Sequence, residues 1–148
     1  MQRTNTFILA PTVKQERILR ERATNCAKLW NEVTYHRRQA YINYQPIDWQ
    51  CLGLYRKYSP LIDSATTQQI IRKSNESWRS FFTLRKLGRE GKLPPNIKKA
   101  CMPGYWKRGA KYRLMMVLRK DCYNLNYRRL KPAGSLGHPF FCHNSSPT

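Results

Sequence analysis

Five apolar side chains, Leu19, Ala23, Cys26, Trp30 and Val33, recur at steps of four and three. That spacing gathers side chains on one face of an α-helix and fits no strand. Upstream, Thr12 and Gln15 make a capping-box pair, and Glu16 puts negative charge in the first turn, where the helix dipole favours it. The helix is therefore expected to begin near Val13 and to run until Gln45 and Pro46 break the pattern. So long an apolar seam has to be covered, and the chain must supply a second helix to cover it.

A candidate partner follows. Asp63 or Ser64 can cap a helix in which Ile71, Ser74, Trp78, Phe81 and Phe82 fall on one side, fading near Gly88 to Gly91. Between the two, Asp48 to Tyr58 reads as a shorter helix closed by Ser59 and Pro60. Trp30, Trp78, Phe81 and Phe82 sit on apolar faces at helical spacing and are read as packing residues rather than base-stacking platforms.

The ends of the chain read differently. Thr4 to Ala10 forms a strand pattern stopped by Pro11. Lys92 to Ala110 (KLPPNIKKACMPGYWKRGA) is a basic connector without periodicity. Tyr112 to Leu118 and Tyr123 to Lys131 read as two strands, and the remainder (PAGSLGHPFFCHNSSPT) as a loose tail. Helices lying between an early strand and later ones make the expected fold class α+β.

Charge narrows the function. The 148 residues hold 28 Lys and Arg against 8 Asp and Glu, a net +20. Solubility asks only about 2 to 8 charges of a small domain, so a polyanionic partner is indicated. Residues 1 to 74 carry 12 basic and 5 acidic side chains, and residues 75 to 148 carry 16 and 3, so the second half is the more electropositive. The longest aliphatic run, Leu114 to Leu118, is far below the roughly 20 residues that span a bilayer, and no secretory pattern opens the chain. Five widely spaced cysteines without a CxxC pair fit reduced thiols in a cytoplasm. His138, Cys142 and His143 lack the paired spacing of structural zinc and are read as chance neighbours.

Within the connector, Tyr105, Trp106 and Tyr112 lie among Lys107, Arg108, Lys111 and Arg113, with Lys98 and Lys99 just upstream. Planar rings that stack on bases, interleaved with cations that meet phosphates, make a nucleic-acid contact patch. The competing reading places Trp106 and Tyr112 in a core and leaves only the cations to solvent. A helix-turn-helix in the first 60 residues is a secondary possibility, because the first helix is long for that motif.

Three segments together resemble a known family: TFILAPTVKQERILRERATNCAKLWNEVTY, SATTQQIIRKSNESWRSFFTLRK, and PPNIKK with MPGYWKRGAKYRL. Their order is similar to that in the TnpB (OrfB) proteins of insertion sequences, over about residues 4 to 131. The resemblance implies a helical recognition lobe inserted into a partial, split β-barrel of the wedge type. Residues 1–10 would supply the first barrel strand, 11–91 the recognition lobe, 92–131 the basic connector and barrel strands, and 132–148 a loose tail.

Relatives of this kind use a guide RNA and cut DNA with a ribonuclease H-type domain that would lie beyond these residues. The expectation is therefore a nucleic-acid-binding fragment with no catalytic residues of its own, with Mg²⁺ needed only by the nuclease domain it lacks. In proteins that grip an RNA–DNA hybrid by shape and phosphate, cations such as Arg72, Arg79, Arg85 and Lys86 follow the backbone; a solvated helix face is the plainer account. The expected partners are guide RNA and DNA, and a nuclease chain acting in trans, with no membrane and no small-molecule substrate. The expected setting is a prokaryotic cytoplasm, at the nucleoid. The departure from the family after RRLKP suggests a frameshifted or truncated gene, and a degenerate remnant is the alternative.

Overall fold

The computed structural model describes residues 7–106, 116–118, 123–126, 129–132 and 140–144. Its elements, in chain order, are β1 (Phe7–Ala10), α1 (Val13–Ile42), α2 (Leu52–Tyr58), α3 (Ser64–Arg89), β2 (Tyr123–Asn126), β3 (Arg129–Pro132) and β4 (Phe140–Asn144).

α1 starts where its capping box requires. The Thr12 hydroxyl accepts from the Gln15 amide at 3.4 Å, and the Gln15 side chain accepts from the Thr12 amide at 2.9 Å. It ends in a Schellman turn: the Gln45 amide reaches back to the Ala40 carbonyl (2.8 Å) and the Tyr44 amide to that of Tyr41 (3.4 Å). Tyr44 sits at φ 57, the left-handed position that this turn demands. α3 ends in the same motif, with Lys92 bonded to Leu87 and Gly91 to Gly88, and there the left-handed residue is Gly91 at φ 69. At the start of α3, Asp63 accepts from the Thr66 amide at 2.7 Å.

α1 and α3 bury their apolar faces against each other, and α2 closes one side. The core holds Cys26, Leu29, Trp30 and Val33 of α1, Tyr58 and Ile62 around the end of α2, and Ile70 and Ile71 of α3. Further along α3, Trp78 is fully buried, and Tyr41 of α1 meets it together with Phe81 and Phe82 at ring-centroid distances of 5.5 to 5.9 Å.

The expected α+β fold, with a helical lobe inserted into a partial split β-barrel, is not what the described residues form. The packed body is helical, built on helices of 30, 7 and 26 residues. Strands of four or five residues pair only into an open antiparallel sheet of order β1-β4-β3-β2, whose outer strands each have a single neighbour, so no barrel closes among the described residues. Burial explains the difference. Met116 and Val117, read from the sequence as the end of a barrel strand, take no regular structure and pack against the helical core. The segment read as one strand from Tyr123 to Lys131 is a β2–β3 pair, and β4 falls inside the tail expected to be loose.

Candidate nucleic-acid interface

α1 ends at Ile42, one residue past the Tyr41–Phe81 contact, while α3 continues to Arg89, and connector residues Leu93 and Lys98 to Met102 face the last turns of α3. The result is an open groove of about 670 Å³. Its floor is apolar, formed by Phe81, Leu84, Leu93 and Met102 with Tyr41, and its rim carries Arg38, Arg85, Arg89, Lys98 and Lys99. Among the described residues, no acidic side chain lines it. None of the five cations is paired with a carboxylate among the described residues.

Each cation has a structural reason for its place. Arg85 and Arg89 lie on the face of α3 that turns toward α1, but past the point where the core fills the space. The Arg85 guanidinium stands 5.3 Å from the centre of the Tyr41 ring. Arg38 donates to the Pro103 carbonyl at 3.3 Å and lies 5.3 Å from the centre of the Tyr105 ring, which is 46% exposed. Lys98 and Lys99 are exposed on the connector.

The connector itself is strapped to α1. Trp106 stacks on Trp30, with centroids 4.6 Å apart and planes 9° apart. The Trp30 indole donates to the Gly104 carbonyl at 2.9 Å, and Asn31 both donates to the Trp106 carbonyl (2.9 Å) and accepts from its amide (2.7 Å).

The residues singled out from the sequence separate into groups. Arg85, Lys98 and Lys99 come together in the groove, with Tyr105 beside it on Arg38. Trp106 covers Trp30, leaving one ring face at most for any other contact. Arg72, Arg79 and Lys86 recur every seven residues along the outer, exposed side of α3, away from the groove, and Arg72 approaches Glu76 at 3.7 Å. Lys107, Arg108, Lys111 and Arg113 lie outside the described residues. Trp30, Trp78 and Phe81 are buried and Phe82 is half-buried.

Sequence reasoning overlooked Arg38 and Arg89 as groove residues, and it did not single out Arg37 as a buried one. Arg37 is 1% exposed. Its guanidinium donates to Ser74 Oγ (2.7 Å), to the carbonyls of Asp48 (3.2 Å) and Trp49 (3.3 Å), to Cys51 Sγ (3.4 Å) and to Asn75 Oδ1. A signal was present: the seam runs 19, 23, 26, 30, 33, and its next step of four is residue 37.

The described acids are mostly engaged elsewhere. Glu16 pairs with Arg20 at 2.7 Å, and Glu32 accepts from Lys57 and from the Tyr58 hydroxyl. Partial burial works against ionisation of Glu32, but these two donors outweigh it and hold the carboxyl below its ordinary range. Asp48 accepts from the Gln50 and Cys51 amides. Burial, assisted by the Asp63 carboxylate, pushes the Cys26 thiol up to about 12 and keeps it protonated. Among the described residues, no three His, Cys, Asp or Glu side chains meet in a way that would hold a metal ion, so they do not fit the Mg²⁺ site of a nuclease. No described helix is long and apolar enough to cross a membrane.

Neither a protein-family profile nor a solved structure matches the chain. A curated protein does: the TnpB-like protein ORF457 of Acidianus two-tailed virus is 40% identical over 130 residues. The match covers 84% of this chain and 28% of the viral protein, so the chain corresponds to little more than a quarter of that relative. On an identity of this level across most of its length, the chain belongs to the TnpB-like, transposon-associated family.

Proposed function

We propose that this chain binds nucleic acid, as the guide RNA- or DNA-holding part of a TnpB-like protein, and does not cut it. The observation that carries this reading is the groove: five cations converge on one concavity that no carboxylate lines among the described residues. Like charges held this close repel one another unless an anion enters, and a row of phosphates is the anion that matches several at once. The outer α3 stripe of Arg72, Arg79 and Lys86 offers a second track suited to a backbone read by shape. The engagement of most described acids in caps and ion pairs supports the non-cleaving part of the reading.

The test is binding of the full chain to single-stranded RNA, duplex DNA and an RNA–DNA hybrid between about 50 and 300 mM salt, with Mg²⁺ present to reveal cleavage. Affinity should fall linearly with salt on logarithmic axes, with no product formed. Replacing Arg89, Lys98 and Lys99 together by Gln should reduce that slope by about 2, because each phosphate contact to a single strand contributes about 0.7. Unchanged affinity and slope in the triple variant would remove the groove from the interface, and no binding to any of the three ligands would end the reading.

A further inference from the structure

We infer that the groove takes a single-stranded stretch of nucleic acid, with a base seated on its apolar floor and the flanking phosphates on its rim. This rests on the nucleic-acid reading above and goes further by naming the form of the ligand. A surface that only follows a double helix needs cations on a flat or gently curved face, because a duplex presents sugars and phosphates outward and keeps its bases stacked inside. The stripe Arg72, Arg79 and Lys86 on the outer side of α3 has that form.

The groove differs in two respects. It is concave, and at about 670 Å³ it lies in the range, roughly 300 to 1,000 Å³, of pockets that enclose small organic groups. Its floor is aliphatic and aromatic where the phosphate reading would ask for nothing apolar. An unpaired base supplies what such a floor favours, a flat ring system whose faces shed water, while its own strand supplies the charge that the rim favours. Arg85 adds a specific element: a guanidinium already held over the Tyr41 ring is a planar cation on which a base can stack.

Cys101, exposed and lining the groove, provides a built-in reporter, while Cys26 and Cys51 are buried. The experiment compares the full chain's affinity for a single-stranded RNA, the DNA of the same sequence, an abasic strand of equal length and charge, the corresponding duplex, and polyglutamate. It is repeated with Ala100→Trp, a larger side chain at a connector residue that lines the groove, which adds bulk there without changing charge, and alkylation of Cys101 is followed by peptide mapping in each mixture.

Single strands carrying bases should bind about tenfold or more tighter than the abasic strand, in keeping with the stacking contribution of one base. They should protect Cys101, and Ala100→Trp should abolish both effects while leaving duplex binding unchanged. RNA and DNA strands behaving alike would assign the site to the base and phosphate, and a preference for RNA would add the 2′-hydroxyl as a contact. Equal affinity for abasic and normal strands, polyglutamate binding as tightly as either, or an Ala100→Trp variant that binds single strands normally would overturn the inference. Loss of binding to every polyanion would instead strike the nucleic-acid reading on which it rests.

Discussion

Replacing Arg37 by Met tests what holds the helical body together. The substitution keeps a long side chain in the space between α1, the 48–51 turn and α3, and removes five donated hydrogen bonds. The Asp48 and Trp49 carbonyls belong to exposed residues and can turn to water, so their loss costs little. Ser74 is fully buried and Asn75 half-buried on the inner face of α3, and these two lose a charged donor without replacement. An orphaned buried acceptor costs about 1–3 kcal/mol. With relief from no longer desolvating a guanidinium set against this, the net loss should be about 3 kcal/mol.

That is a large fraction of the roughly 5–15 kcal/mol of a typical domain. Urea unfolding followed by tryptophan fluorescence is a suitable assay, because Trp49 lies 5.6 Å beneath the guanidinium and reports on the same site. A companion Ser74→Ala variant, and the double variant, give the coupling between the two partners, expected at about 1 kcal/mol or more for contacting residues. An Arg37→Met protein within 1 kcal/mol of the parent, or additive single and double variants, would refute the claim that this network ties α1 to α3.

The remaining predictions concern the helix ends and acid stability. Tyr44 is 97% exposed and pays for a left-handed backbone that glycine adopts freely, so Tyr44→Gly should stabilise by about 0.5–1 kcal/mol in the same urea assay. Gly91→Ala at the equivalent turn of α3 should destabilise by about 1 kcal/mol, since nothing within 4 Å of its added Cβ compensates the strained backbone. Glu32 has its folded-state pKa lowered by Lys57 and Tyr58 against the opposing effect of burial. Its contribution is therefore fully present above the unfolded carboxyl value of about 4.3 and is lost as pH falls through the lower folded value. Urea midpoints of Glu32→Gln and the parent should accordingly differ at neutral pH and converge in that acid window.

The helical part of the fold was legible because its signals are local. The capping box at Thr12, the seam from Leu19 to Val33 and the glycines ending α3 each act within one or two turns, and all three reappear as hydrogen bonds or burial. The expected barrel was a misreading, because a run such as Met116 to Leu118 satisfies a strand pattern and a core-filling loop equally well. Only the long-range choice of packing against Trp30 and its neighbours decides between them. The site was half legible. Composition pointed to cations on α3 and the connector, but whether a given one faces the groove, like Arg85, or the opposite side, like Arg79, depends on where α1 lies.

Arg37 and Arg38 show why charge counting stops short of the site. One residue of helix turns the side chain by about 100°, enough to send Arg37 into the core, where its donors are used up, and Arg38 to the groove, where its charge stays uncompensated. The same division runs through the described acids. Those in caps and outer ion pairs stabilise the start of a helix or its solvent face, and none is placed to neutralise the groove. The described carboxylates thus serve folding and leave the groove cations uncompensated among the described residues, a field that on the proposed reading would raise the local concentration of polyanions and speed their capture. On the proposed reading this also links binding to stability. A ligand at 100 times its Kd adds about 2.7 kcal/mol to the folded state, comparable to the loss expected for Arg37→Met, and so the body would be most stable when its groove is filled.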